Sequence, residues 1–310
     1  MNIAIPLSTS DEILTNELVF GEPSLHISTP VFQSTIYNFC FWNVRSINNK
    51  VRTCLQYLED SNICIAFLSE TWLAADSCST TAIIKNESIY NIYNTSRIEN
   101  RGGGVSIFIS NTFVSKPYKL SEYKFFEITG AVITMDGQFR KIILISFYRK
   151  AKINQQYYPI GLFFDEFSEF LSILASNASP VLVGGDFNIK FNRSTDADTI
   201  KFVNIIEEFG FHLSYTETKT HTSGNTLDAC FYSCCLADYL ADMNSDVNEI
   251  VSDHYPVSIQ FKNQQIKPSS QNSNKRTYRN LQNLDSDIFI CDLTNSLNTD
   301  FIGTDIESLT

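Results

Sequence analysis

A succession of short apolar segments, each bounded by polar or glycine residues, is the feature that most constrains the fold of this chain. Residues 36–42 are rich in aromatic and β-branched side chains and end at Asn43, and residues 63–68 end at Ser69 and Glu70. Such composition is typical of β-strands. Further runs of this kind are residues 105–109, 125–134, 142–147, 180–183, 227–232 and 255–261. Runs of this length predict a fold built mainly from strands.

Three other segments repeat their apolar residues at the spacing of a helix. One extends from Val51 to Leu58, and we expect Asn48 to be its N-cap. Residues 160–174 carry one wide apolar stripe, and residues 202–209 are followed by Gly210 as the expected C-cap. Many strands with few helices predict an α+β fold in which two packed sheets are covered by helices on the outside.

The composition changes near both ends of the chain. Residues 1–35 are rich in Ser, Thr, Asn and Pro without sustained periodicity, and we interpret them as a weakly ordered arm or linker. Residues 263–310 are polar, with Gln, Asn and Ser enriched at their start, and we interpret them as a tail. The folded unit is therefore expected to be one domain that spans residues 36–262.

The charge of the chain restricts its partners. The formal net charge is −11, whereas a nucleic-acid-binding protein normally carries a basic face. DNA binding therefore requires basic residues to cluster near the site or in a partner domain. The first residues lack the basic start and apolar segment of a signal peptide, and no apolar run approaches the roughly 20 residues that span a bilayer. We therefore expect no membrane association and a location in the nucleus or cytoplasm.

Eight cysteines occur at irregular spacings. They are Cys40, Cys54, Cys64, Cys78, Cys230, Cys234, Cys235 and Cys291. The group near residue 230 has no second cysteine pair or nearby histidine to complete four zinc ligands. We therefore expect buried free thiols, which favour a reducing compartment.

Four carboxylates lie at or beside the ends of apolar runs. They are Glu70, Asp186, Asp228 and Asp253. Three other polar residues occupy similar positions: Asn43, Asn188 and His254. A single acid at a strand end is usually a solvated terminus, but the ends of central strands meet in space, and seven such side chains predict one cleft.

Two of these positions have local patterns of their own. Asp186 and Asn188 are two residues apart, so in extended backbone both side chains point to one side while Phe187 turns into the core. Asp253 and His254 place a carboxylate next to an imidazole that titrates near neutrality. The chain has four histidines, and His254 is the one that the sequence places among acids at a strand end.

The chemistry of these residues suits the hydrolysis of a phosphodiester. That reaction needs a cation on the phosphate oxygens, a base for water and donors for the developing charge. Carboxylate and amide oxygens are the ligands that Mg²⁺ prefers, and the chain has no His-rich or Cys-rich cluster that would favour zinc. The residues therefore predict catalysis with an oxygen-bound metal.

Seven short motifs follow one another in an order typical of one enzyme family. They are residues 43–50, 69–73, 101–105, 148–149, 185–188, 227–228 and 252–254. This ordered set resembles the endonuclease/exonuclease/phosphatase (DNase I-like) family, and more narrowly the apurinic-endonuclease-like domain of non-LTR (LINE-type) retrotransposons. The resemblance implies a four-layer sandwich of two mixed β-sheets flanked by helices. The tail is similar to the linker before a reverse transcriptase, which is an implied partner in the intact element.

The resemblance also implies an activity and a role for each residue. The activity is that of a Mg²⁺-dependent DNA endonuclease, with Mn²⁺ as a substitute, that leaves a 3′-hydroxyl to prime reverse transcription. The implied metal ligands are Glu70, Asn43 and Asp253. The implied catalytic residues are Asp186 and Asn188 at the water, His254 held by Asp228 at the phosphate, and Tyr148 on the opposite wall. The implied substrate contacts are Thr222, Ser252 and Arg149.

Two positions depart from the pattern of the family. Arg45 stands where repair relatives carry an acid after the shared Asn-Val pair, which argues against a second metal ligand there and against repair of abasic sites. Lys150 and Ala151 follow the Tyr-Arg pair where many relatives have a proline, so we expect that wall of the cleft to differ in shape.

Two other functions are compatible with the same residues. A phosphatase or phospholipid phosphodiesterase of the same fold uses a similar core set, and an inactive retrotransposon remnant would act only as a binding module. The Asn-Val-Arg-Ser and Arg-Gly-Gly-Gly segments favour DNA over small phosphoesters. Every core position carries a competent residue, which favours an active enzyme over a remnant.

Overall fold

The computed structural model describes residues 33–74, 78–97, 102–135, 139–153 and 156–265, and these form two six-stranded β-sheets. The strands of the first sheet are β1 (Gln33–Asn43), β2 (Ile63–Ser69), β3 (Tyr90–Thr95), β4 (Val105–Ser110), β11 (Asn244–Ser245) and β12 (Val257–Gln265). Those of the second are β5 (Val114–Tyr118), β6 (Phe126–Thr134), β7 (Lys141–Arg149), β8 (Val181–Asp186), β9 (Phe211–Tyr215) and β10 (Asp228–Ser233). The spatial orders are β11-β12-β1-β2-β4-β3 and β5-β6-β7-β8-β10-β9.

Each sheet is mixed, because it contains one parallel pair among antiparallel neighbours. β1 and β2 are parallel in the first sheet, and β7 and β8 are parallel in the second. The strands β1 and β12 extend three residues beyond the predicted limits of the domain, to Gln33 and Gln265. The predicted arm before β1 and the predicted tail after β12 otherwise lie outside the described residues.

Helices cover the outer faces of both sheets. They are α1 (Val51–Asp60), α2 (Cys78–Glu87), α3 (Ile160–Ala175) and α4 (Ala197–Glu208), with a 3₁₀ helix at Cys234–Tyr239. Helix α1 packs its buried face on the first sheet, and α3 and α4 pack on the second. No helix among the described residues is long and apolar enough to cross a membrane.

The alternation of side chains along the central strands produces the four layers. On β1, Phe39 and Phe41 point into the cluster between the sheets, while Cys40 and Trp42 point outward to the cluster with α1. Strand β7 divides in the same way between Leu144, inside, and Phe147, under α3. Because both faces of these strands are buried, their sequences are nearly continuous apolar runs. The predicted four-layer sandwich is confirmed.

Two local predictions about helix ends need correction. The C-cap of α4 is Phe209 and not Gly210. Gly210 is the next residue, has φ 75° and donates its N–H to Glu207 O at 2.9 Å, which is the usual place for a left-handed glycine after a helix. The prediction that Asn48 caps α1 is wrong, because the N-cap of α1 is Lys50. The Asn48 amide instead donates to Trp72 O at 3.0 Å and accepts from Thr80 Oγ1 at 3.0 Å, which ties the β1–α1 loop to the loop after β2.

The cysteine prediction is correct in part. Cys40, Cys54 and Cys230 are buried free thiols, and burial raises the pKa of each. Cys234 and Cys235 are free but exposed on the 3₁₀ helix, so the expectation that they are buried is wrong. Leu236 is the buried side chain of that short helix.

Aromatic packing under α3 stabilises the second sheet. The Phe167 ring is fully buried and lies 5.7 Å from the Phe147 ring, 5.1 Å from the Phe202 ring and 5.9 Å from the Phe231 ring. It therefore joins β7, α4 and β10 to α3. The same contacts support β7 and β10, which carry Tyr148 and Asp228.

We expect Phe167→Ala to lower the free energy of unfolding by about 3–5 kcal/mol, because it leaves a cavity among rings that cannot collapse into it. Urea unfolding followed by circular dichroism measures the change. Leu162→Ala, on the exposed face of the same helix, is the matched control and should change stability by less than about 0.5 kcal/mol. Equal losses in the two variants would contradict this account of the core.

Candidate active site

The ends of both parallel strand pairs meet at one edge of the sandwich. Asn43 at the end of β1 pairs with Ser69 at the end of β2, and Glu70 follows directly. In the second sheet, Tyr148 on β7 and Asp228 on β10 both pair with Asp186, at the end of β8. Strand register therefore aligns Asn43 with Ser69 in the first sheet, and it aligns Tyr148, Asp186 and Asp228 in the second.

Because Gly184 has no side chain, the two sheets can pack closely beside this edge. A Cβ on Gly184 would lie 2.0 Å from Phe41 Cε1, so only glycine allows β8 to pack against the Phe41 ring. The Ser146 hydroxyl also crosses between the sheets and donates to Leu68 O at 3.2 Å. The glycine pair before Asp186 is therefore explained by close packing.

Asn43 is the centre of the polar cluster. Its buried amide donates to Asp186 Oδ2 at 2.9 Å and to Glu70 Oε1 at 3.1 Å. Its Nδ2 atom also lies 3.5 Å from His254 Nε2. One side chain therefore connects both carboxylates and the imidazole.

Tyr148 closes one side of the cluster. Its hydroxyl donates to Glu70 Oε1 at 2.9 Å, and the Arg97 guanidinium lies 5.9 Å from the centre of its ring. Burial raises the pKa of the Tyr148 hydroxyl well above its usual range, and Glu70 and Asp186 raise it further. The hydroxyl is therefore a neutral hydrogen-bond donor.

Asp186 is held from several sides. Its Oδ1 accepts the Asn188 N–H at 2.8 Å, and the Asn188 amide lies 3.4 Å from its Oδ2, while Phe187 is buried in the core. The two side chains thus lie together, but the predicted extended backbone is wrong, because Asn188 has a left-handed φ of 50°. Burial raises the pKa of the Asp186 carboxyl, an effect that His254 opposes.

His254 and Asp228 form a buried pair. His254 Nδ1 lies 2.9 Å from Asp228 Oδ2, and His254 Nε2 lies 3.7 Å from Asp186 Oδ2. Burial by itself would lower the pKa of His254, but Asp228 and then Asp186 outweigh it and raise that pKa to about 9. The Nδ1 bond turns Nε2 toward Asn43 and Asp186.

Asp253 lies at the exposed mouth of the cluster. Its carboxylate forms an ion pair with the Arg45 guanidinium and lies 3.6 Å from His221 Nε2. The His221 ring is 4.6 Å from the His254 ring. The expectation that His254 alone among the histidines lies near the acids is therefore wrong. The isolated β-bridge between the two histidines brings them together, and no local motif signals it.

The three residues that are implied to contact the substrate differ in whether their side chains already form hydrogen bonds within the protein. The Ser252 hydroxyl donates to Asn43 O at 2.7 Å, and Arg149 donates to Phe187 O at 2.6 Å and to Asn188 O at 2.5 Å. Both side chains fix the loops of the site. Thr222 is exposed, and its N–H donates to Asp253 O at 2.9 Å. The substrate roles of all three stay predictions.

The residues of the cluster are suited to a hard divalent cation. Glu70, Asn43 and Asp186 offer carboxylate and amide oxygens inside one hydrogen-bonded group, which is the donor chemistry that Mg²⁺ prefers. Asp228 Oδ1 is buried, and no described residue donates a hydrogen bond to it. The negative charge of the cluster is therefore not fully compensated by the surrounding side chains.

Comparison with known proteins supports the family. A family model described as endonuclease-reverse transcriptase matches residues 142–258. No curated protein shows a sequence match to the chain. The predicted resemblance to the endonuclease/exonuclease/phosphatase family is confirmed by this family model over residues 142–258, and the similar structures below show the fold.

Several solved structures share the fold. The endonuclease domain of TRAS1, a telomere-specific non-LTR retrotransposon, is 15% identical with a TM-score of 0.58, and the match covers 75% of this chain and 99% of that domain. The AP endonuclease LMAP from Leishmania major is 15% identical with a TM-score of 0.58, covering 73% and 88%. A 3′ phosphatase from Neisseria, bound to a product DNA hairpin, is 17% identical with a TM-score of 0.53, covering 73% and 99%. The chain thus has a nuclease and phosphodiesterase type of fold.

We expect Asp228→Asn to lower the pKa of His254, since among the nearby groups Asp228 raises that pKa most. The pKa of about 9 in the folded protein exceeds the ordinary histidine pKa of 6.5, so the pair stabilises the fold fully below pH 6.5, and this contribution is lost as the pH rises through 9. Urea unfolding in chelator at several pH values, with NMR titration of the His254 ring, measures both effects. The exposed control Asp238→Asn should leave the pKa unchanged, and a pH-independent stability difference for Asp228→Asn would contradict the interpretation.

Proposed function

We propose that this chain is a divalent-metal-dependent DNA endonuclease that nicks one strand and leaves a 3′-hydroxyl. The observation that carries the proposal is the Asn43 amide, which joins Glu70 from the first sheet to Asp186 from the second within reach of His254. The family match to endonuclease-reverse transcriptases supports the reaction class and the retrotransposon context.

The metal would be held by Glu70, with Asn43 and Asp253 beside it. A bound Mg²⁺ or Mn²⁺ ion would neutralise charge on the phosphate oxygens and position the ester for attack. Glu70 and Asp186 converge on the Asn43 amide without any thiol among them, in agreement with an oxygen-bound cation, and Asp253 lies at the mouth beside Arg45 and His221.

Asp186 is the residue that orients the attacking water and accepts its proton. Asn43 and Asn188 donate to its carboxylate and fix its direction. Arg149 also stabilises the position of Asp186, because its hydrogen bonds to the carbonyls of Phe187 and Asn188 hold the loop after β8. A general base must be positioned before its pKa matters, and this loop provides the position.

His254 and Tyr148 act on the phosphate from two sides. Asp228 holds His254 Nδ1, so that Nε2 faces the cluster and can donate a hydrogen bond to a phosphate oxygen. Tyr148 carries a neutral hydroxyl on the opposite wall, where it donates to Glu70 in the free protein. Fixed donors of this kind stabilise the charge that develops in the transition state.

DNA binding has to be reconciled with the net charge of −11. Basic side chains do lie around the cluster: Arg45 at Asp253, Arg97 over the Tyr148 ring, and Lys150 within 3.9 Å of Glu127. Each of these cations is paired with a carboxylate, Arg45 with Asp253 and both Arg97 and Lys150 with Glu127, and they are the side chains near the site that support the proposal of DNA binding. A reverse transcriptase of the same element remains an implied partner.

The full-length chain should nick supercoiled plasmid with Mg²⁺ or Mn²⁺ and lose this activity in chelator. Glu70→Gln, Asp186→Asn and His254→Gln should each reduce the nicking rate by about 10²–10⁴-fold, because each removes a metal ligand, a base or a phosphate donor. The exposed Glu217→Gln variant is the control and should keep the wild-type rate. DNA polymerase should extend the nick without prior phosphatase treatment, because the product ends in a 3′-hydroxyl.

Three outcomes would overturn the proposal. Nicking that resists chelator would exclude the metal mechanism. Release of phosphate from inositol phosphates or lipid headgroups without plasmid nicking would assign the site to the phosphatase or phospholipase function. A folded protein that is inactive on all of these substrates would be an inactive remnant.

A further inference from the structure

The backbone immediately after β1 has an uncommon conformation. Arg45 and Ser46 are consecutive non-glycine residues with φ 42° and φ 74°. Such left-handed residues persist only where surrounding contacts determine them. Here the Arg45 N–H donates to Asn43 Oδ1 at 3.1 Å, and the Ser46 N–H donates to Glu70 O at 2.7 Å. The residues that impose the conformation thus belong to the active-site cluster.

The result of this turn is a guanidinium at the mouth of the site. The Arg45 side chain forms an ion pair with Asp253, the residue before His254. The backbone of the Asp253 loop is itself held, because Asp253 O accepts the Thr222 N–H at 2.9 Å. The cation therefore lies on the same Asp253 oxygen that is 3.6 Å from His221 Nε2, and the His221 ring is 4.6 Å from the His254 ring.

The exposure of the ion pair shows that stability is not its main consequence. The Arg45 and Asp253 side chains are 59% and 28% exposed, respectively. Exposed pairs of this kind add little to the free energy of folding, because water competes for both partners. A guanidinium held by such a pair exchanges readily to another anion of better geometry.

We propose that Arg45 is a substrate-contacting residue whose guanidinium leaves Asp253 to bind a non-bridging oxygen of the scissile DNA phosphate. A planar guanidinium can bind a phosphate through two parallel N–H donors, whereas its contact with Asp253 uses one nitrogen, Nη1. Arg45 then supplies positive charge to the phosphate from the protein itself, from the side of the site where Asn43 and Asp253 lie. This inference rests on the proposed DNA endonuclease function.

The chain offers a matched control on the neighbouring helix. Arg52 on α1 also forms an exposed ion pair, with Glu87, and its side chain is 69% exposed. It has ordinary helical backbone and contacts none of the cluster residues in the described structure. Arg52→Asn thus removes an exposed arginine–carboxylate pair without changing the site.

The first measurement is DNA affinity of the full-length chain in chelator, as a function of salt, by fluorescence anisotropy with a short duplex. Arg45→Asn is the test variant, because asparagine tolerates the left-handed backbone. The slope of log affinity against log salt should fall by about 0.9, the value expected for one lost phosphate contact. Arg45→Lys should keep the slope, since it keeps the charge, and Arg52→Asn should match the wild type.

The second measurement is plasmid nicking with Mg²⁺. Arg45→Asn should reduce kcat/KM by about 10- to 100-fold, the loss expected for a charge-assisted hydrogen bond to the reacting phosphate. Guanidinium ion added at constant ionic strength should restore part of the activity of Arg45→Asn. It should not restore Arg45→Lys, whose ammonium occupies the space, nor affect Arg52→Asn.

The outcomes separate this inference from the proposed function. Normal nicking and an unchanged salt slope in Arg45→Asn would overturn the role of Arg45 and leave the endonuclease assignment intact. A wild type that binds DNA without nicking it would overturn the assignment, while the slopes would still decide whether Arg45 contacts phosphate. A wild type that does not bind DNA would overturn both.

Discussion

The hydrogen bonds from the Asn43 amide to Glu70 and Asp186 are the interaction on which the site depends, because they join the two sheets at their shared edge. Each sheet contributes one carboxylate, and neither sheet alone contains the cluster. Close packing makes the bonds geometrically feasible, since Gly184 allows the Phe41 ring to lie against β8. The fold and the chemistry are therefore linked through a few contacts at one edge of the sandwich.

Charge compensation is the second organising constraint. Asp186 and Asp228 are both buried, and the cation that faces them from the described residues is His254. Buried charges are stable only when they are paired, and a single imidazole cannot fully compensate two carboxylates. Burial raises the pKa of Asp186 and the charge of Asp228 raises it further, while Asp228 Oδ1 accepts no hydrogen bond from the described residues. A cluster of this kind favours the entry of a cation.

The sequence predicted the central strands and most of the cluster, because both leave strong local signals. Strands buried on two faces are continuous apolar runs, and the acids at their ends interrupt those runs abruptly. The strands that the sequence did not predict are β3, β5, β9 and β11, which are the four sheet edges. Edge strands are half exposed and short, and β5 even contains Pro117, so they lack an apolar run.

Within the site, the sequence failed where a contact depends on tertiary structure alone. His221 lies in a polar loop and reaches His254 through an isolated bridge between distant segments. Asn48 is a residue type that often caps helices, but its side chain instead bonds to Trp72 after β2 and to Thr80 on α2. The sequence does not indicate that these segments are in contact. Arg149 and Ser252 carry functional side-chain types, yet their donors are already bonded to backbone carbonyls. In these cases the residue type indicated which chemistry a side chain can perform. Its burial and the register of its strand determined which contacts it makes.

Backbone strain is concentrated at the same edge as the charge. The non-glycine residues with positive φ are Arg45, Ser46, Asn62, Glu70, Trp72 and Asn188 among the described residues. Five of the six follow β1, β2 or β8 at the cluster, and each such conformation costs on the order of 1–3 kcal/mol. The aromatic packing under α3 and the apolar layer between the sheets offset this cost away from the site. The rigid core therefore allows the strand ends to hold polar groups in positions that the local sequence would not adopt alone.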